Sequence, residues 1–119
     1  MAKKKKRLPE NYLERVPVRP ARISWSRDAK EIVTLDIENR GLANRIAQAL
    51  LHKPKVSHIH LDELGSFVWP LIDGETDLVS IGEQVERRFG EKAHPTYERL
   101  AKFFQILESY RFIEWKNRE

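Results

Sequence analysis

Cysteine is absent from the 119 residues, which excludes disulfides and thiolate metal sites. Glycine is scarce, at five, and falls mostly at expected helix ends. No glycine-rich loop of the kind that cradles a phosphate is present. There is no Gly-x-Ser-x-Gly, and no Ser, His and acid set whose spacing suggests an activated nucleophile. No catalytic residue is therefore assigned and no cofactor is expected. No apolar run approaches the roughly 20 residues of a membrane span. The basic start, Lys3 to Arg7, lacks the apolar stretch that would make it a secretory signal. These absences fit a cytoplasmic, non-catalytic protein with room for one modest core.

Charge is unevenly placed. Residues 1–20 hold seven basic and two acidic side chains, and the other 99 hold fifteen basic and sixteen acidic. The overall charge of +4 thus resides in the first twenty residues, and the rest is near neutral. A nucleic-acid-binding domain usually carries its basic excess on the folded surface, because phosphate neutralisation supplies much of the affinity. Nucleic acid is accordingly not the expected partner. The run Lys3-Lys4-Lys5-Lys6-Arg7 and Pro9, Pro17 and Pro20 mark residues 1–20 as a basic, partly disordered tail, in which Tyr12, Leu13, Val16 and Val18 are still able to pack. Residues 21–119 are expected to form a single domain.

Hydrophobic periodicity supplies the elements. Residues 21–37 read as a hairpin: Ile23 and Trp25 alternate with polar residues, as do Val33, Leu35 and Ile37, around the polar turn Arg27-Asp28-Ala29-Lys30. Leu42, Ile46, Ala49 and Leu50 have helical spacing, predicting a short helix over about 40–53 that Pro54 ends. Residues 55–61 read as a third strand, with Ile59 and Leu61 on one face and Val56, His58 and His60 on the other. Asp62 is placed to cap a helix over 63–72, which Pro70 should bend or make irregular, and Asp73-Gly74 to close it. Asp77 should cap a helix whose buried face is Leu78, Ile81, Val85 and Phe89, with Gly90 as its stop. Pro95 opens a last helix running to about Tyr110, before a short strand around Phe112, Ile113 and Trp115. The predicted fold is α+β and winged-helix-like: a small antiparallel sheet of about three strands followed by a three-helix bundle, with an extra short helix inserted between strands 2 and 3.

Several ordered blocks carry a family resemblance. His60-Leu61-Asp62-Glu63-Leu64-Gly65-Ser66, Val68-Trp69, Leu71-Ile72-Asp73-Gly74, Leu78-Val79-Ser80-Ile81 and Val85-Glu86-Arg87-Arg88-Phe89-Gly90, then the long helix through Leu107 and the close Phe112-Ile113, together resemble the PqqD family across roughly residues 22–115. The family is named for a protein of pyrroloquinoline-quinone biosynthesis, and many members recognise ribosomally made peptides. The resemblance implies an adaptor that holds the leader of a precursor peptide and delivers it to a modifying enzyme, often a radical S-adenosylmethionine enzyme. The leader would add as a strand to the third β-strand and lie against the last long helix. The helix inserted before that strand departs from the family pattern, as does Pro70.

Under that resemblance the peptide-binding residues are Lys55, Val56, Ser57, His58, Ile59, His60 and Leu61 on the strand. Strand addition needs an open edge, and this stretch has no proline to remove a donor. An apolar wall would come from Tyr97, Leu100, Ala101 and Phe104, part of an apolar arc wider than one core face requires. His58 and His60 share a strand face with Asp62 and Glu63 nearby, but two imidazoles and a committed cap do not make the three or four oriented ligands of a zinc site, so no metal is expected. An open edge also allows pairing with a second copy of the chain. The remaining alternatives are a winged-helix nucleic-acid binder using helix 78–89, where Arg87 and Arg88 are offset by Glu83 and Glu86, and an accessory subunit that keeps the fold without binding peptide.

Overall fold

The computed structural model describes residues 11–39 and 55–116. The helix expected at about 40–53 lies outside the described residues, as does the lysine run. The architecture is α+β, with small antiparallel sheets and three helices among the described residues. Residues divide into two compact units: Pro20–Trp69 in one, and the segments before and after it in the other.

The unit from Pro20 to Trp69 is a three-stranded sheet and a helix. Strands β2 (Ser24–Arg27), β3 (Val33–Asn39) and β4 (Lys55–His60) are antiparallel in the order β2-β3-β4. Asp28 builds the β2–β3 turn: its Oδ1 accepts from the Lys30 and Ile32 amides at 2.8 and 3.0 Å. The alternation read from the sequence survives in the burial. Val33 and Leu35 have no exposed surface, while Ser24 and Ser26 on β2 and His58 and His60 on β4 are exposed. Helix α1 (Glu63–Val68) starts where Asp62 Oδ1 accepts the Gly65 amide at 2.8 Å. It gives way at Trp69–Leu71 to a 3₁₀ turn, the irregularity that Pro70 imposes by withholding an amide hydrogen. Val68 and Trp69 complete this core.

The other unit joins both ends of the described chain. Strand β1 (Pro17–Val18) pairs with β5 (Glu114–Trp115), Pro17 opposite Trp115 and Val18 opposite Glu114, a second sheet that the sequence reading did not contain. Tyr12, Leu13, Val16 and Val18 lie in or beside these ordered elements: the Tyr12 ring meets Trp115 edge-on at 5.8 Å, and the Lys116 amide donates to the Val16 carbonyl at 2.8 Å. Arg15 lies over the Trp115 ring at 4.2 Å, and its carbonyl accepts the Leu78 amide. Helix α2 (Leu78–Phe89) is capped by Asp77 Oδ1 on the Ser80 amide at 2.9 Å. Helix α3 (Thr96–Ser109) buries Leu100, Ala101, Phe104 and Leu107. Phe89 is only half-buried, so the buried face of α2 is Leu78, Ile81, Gly82 and Val85.

Tyr12 makes this unit sensitive to alkali. It is 4% exposed, and its hydroxyl has no hydrogen-bond partner among the described residues. Burial pushes the phenol up to about 12; Glu108 adds to the rise and Arg15 opposes it. In the unfolded chain the phenol titrates near its ordinary value of about 10. Its contribution to stability is therefore whole below about pH 10 and is lost as pH rises toward about 12, because the unfolded state releases the proton first. Tyr12→Phe is expected to flatten that part of the decline and to leave stability at neutral pH nearly unchanged, since it deletes an unpaired buried hydroxyl. Alkaline unfolding curves of the two proteins check this.

Candidate strand-acceptor edge

Among the described residues, strand β4 is an edge of its sheet. It pairs with β3 from Thr34 opposite His60 to Asn39 opposite Lys55, and no other strand lies beside it among the described residues. The register shows which backbone groups are left on the open side. The Leu61 amide donates to the Val33 carbonyl at 2.9 Å, so Val33 and Leu61 form a hydrogen-bonding pair. In an antiparallel ladder such pairs alternate with non-bonded ones. Ile59, Ser57 and Lys55 therefore direct their amides and carbonyls to β3, and Val56, His58 and His60 direct theirs outward. Three consecutive outward positions without proline present the alternating donors and acceptors that an added strand uses.

The C-terminal end of the edge strand is clamped by Ser66. Its Oγ accepts the Val33 amide at 2.8 Å and donates to the Leu61 carbonyl at 3.2 Å, replacing one rung of the β3–β4 ladder with a hydroxyl bridge. Ser66 is 3% exposed. Ser66→Ala would leave a buried donor and acceptor unmet, and it is expected to destabilise the protein by about 1–3 kcal/mol. Amide exchange at Val33 and Leu61 should quicken more than elsewhere in the sheet.

The side chains of the outward positions share the exposed sheet face. His58 Nδ1 is 2.6 Å from Asp36 Oδ1 and His60 Nδ1 is 2.8 Å from Thr34 Oγ1. Both contacts join non-bonded pairs of the ladder, where side chains come closest. Val56 is 40% exposed. Because Asp36 and Thr34 occupy the two imidazoles and Asp62 serves the α1 cap, these groups do not converge. Among the described residues, no three His, Asp or Glu side chains gather to hold a metal. Asp36 is the member of this face that was not singled out from the sequence. The β2–β3–β4 register alone, which sets it opposite His58, would have found it.

The α3 residues fall differently. Tyr97 donates its hydroxyl to the Val79 carbonyl at 2.9 Å, and its ring lies so close over Gly82 that a Cβ there would overlap it. Burial raises its phenol, and Glu86, Glu83 and Asp77 add to the rise. Leu100, Ala101 and Phe104 are 0, 2 and 0% exposed. A side chain with no free surface cannot meet a partner without first leaving the core, so these three do not form a ready-made wall. The exposed apolar residues of this segment are Ile106 and, just beyond it, Tyr110, at 47 and 66%; Tyr110 stacks on Phe112 at 5.5 Å. On α2, Arg87 and Arg88 are exposed together with Glu83 and Glu86, so that helix presents no basic face.

No helix among the described residues is long and apolar enough to cross a membrane. The family model of coenzyme PQQ synthesis protein D (PqqD) matches residues 31–113. No curated protein and no solved structure proved similar to the chain.

Proposed function

The chain belongs to the PqqD family, and from that membership we propose that it is a non-catalytic adaptor that captures the leader of a ribosomally made precursor peptide and presents it to a modifying enzyme. The observation that carries the reading is the open β4 edge, with the backbone groups of Val56, His58 and His60 facing outward. Lys55–Leu61 receives the leader as an added strand. Backbone hydrogen bonds supply affinity, and the side chains at alternate positions supply selectivity. The modifying enzyme, often of the radical S-adenosylmethionine type for such adaptors, and a cytoplasmic setting belong to the same proposal. Pyrroloquinoline quinone is one pathway such an adaptor serves, and the fold does not select it.

Calorimetry with a precursor peptide encoded beside the gene tests the reading. The full precursor and its isolated leader are expected to bind alike, and the leaderless core peptide not at all. Equal binding of the core peptide would overturn it.

A further inference from the structure

The open edge carries a polar device that backbone recognition alone does not require. His58 presents its own amide and carbonyl to an incoming strand, and its side chain lies on the exposed sheet face, 64% exposed against 34% for Asp36. Its Nδ1 is held by Asp36 Oδ1 at 2.6 Å. An ionised carboxylate only accepts hydrogen bonds. The Nδ1 atom must therefore carry the proton, and in the neutral ring Nε2 is left as an acceptor. His60 is not fixed in this way. Its Nδ1 partner is the Thr34 hydroxyl at 2.8 Å, which can either donate or accept.

We propose that the Asp36–His58 pair selects peptides that carry a hydrogen-bond donor (a hydroxyl, amide or cationic side chain) at the strand position opposite His58, and disfavours a carboxylate there. The proposal rests on the strand-addition reading. In an added strand the residue opposite His58 has its side chain on the same sheet face, about 5 Å away at Cβ. A donor there meets the Nε2 lone pair. A carboxylate meets that lone pair with no proton to share and also feels the Asp36 charge. Beside it, the exposed Val56 offers an apolar neighbour to the residue two positions along. The edge would thus read a short alternating pattern, an apolar residue and a donor on the same face.

A displayed library of random linear peptides, selected on the full chain in mildly alkaline buffer, supplies the probe. Binders are first mapped by amide shifts. Binders that perturb Val56, His58 and His60 are then compared with Lys, Ser or Asp at the position opposite His58. Lys and Ser are expected to bind on the order of fivefold more tightly than Asp. Asp36→Ala, which frees the ring to place its proton on Nε2, should erase or reverse the difference, and the imidazole ¹⁵N shifts should report the change of tautomer. Edge-bound peptides that show no Lys-over-Asp preference, or a preference that Asp36→Ala leaves intact, would overturn the inference and leave strand addition standing. Binders that perturb no β4 amide would overturn strand addition itself.

Discussion

Val56→Pro is expected to weaken peptide binding at least tenfold while leaving the sheet folded. The residue's amide faces away from β3, so the substitution removes no rung of the β3–β4 ladder. It takes away one of three outward donors and sets a pyrrolidine ring where the partner's carbonyl must approach. Proline is tolerated on edge strands with its nitrogen toward solvent for the same reason. The neighbouring change Ile59→Pro is the control. Its amide bonds to Leu35's strand, so it should break the ladder and unfold this unit. Peptide titration beside far-ultraviolet circular dichroism separates the two cases. Full binding by a folded Val56→Pro protein would remove β4 from the recognition surface.

Phe104→Ala is expected to cost about 3–5 kcal/mol, as large a share of stability as any single truncation here. Phe104 has no exposed surface, and its ring packs 5.5 Å from Phe103 and 6.0 Å from Trp115. Total stabilities of about 5–15 kcal/mol are usual for domains of this kind, so the variant should lose a large share of its stability and unfold at a clearly lower denaturant concentration. Any loss of peptide binding should follow the unfolded fraction. Ile106→Ala and Tyr110→Ala, at exposed positions, should each shift stability by no more than about 0.5 kcal/mol. Denaturant titrations of the three variants distinguish core from surface on this helix.

The parts of the fold legible in the sequence were those that local chemistry decides. Asp62 and Asp77 announced helix starts because a carboxylate one residue before an apolar stripe has free amides to accept, and each does so at 2.8 and 2.9 Å. Pro70 announced its irregular turn by the hydrogen it lacks. The strand faces of β3 and β4 followed from period-two alternation, and with them the outward side chains of the edge. Pairing between β1 and β5 was not legible: two-residue strands carry no periodicity, and their partners lie at opposite ends of the chain. The α3 surface is a different case. The apolar arc from Tyr97 to Tyr110 was visible, but which part of an arc is covered depends on what packs against it. The spacing of Leu100, Phe104 and Leu107 was the narrower signal of a core stripe. Asp36 looked like one more solvent-facing acid until the register placed it on His58.

On the proposed function, β4 receives a peptide as an added strand. An amide-resolved NMR titration of the labelled chain, with the leader of a precursor peptide encoded beside its gene, tests it most directly. Large shifts are expected at Val56, His58 and His60, with their amides gaining protection from exchange, while those of Ser57 and Ile59, already bonded to β3, gain little. Saturating peptide that leaves the β4 amides unmoved, or that moves only residues of α2, would contradict it.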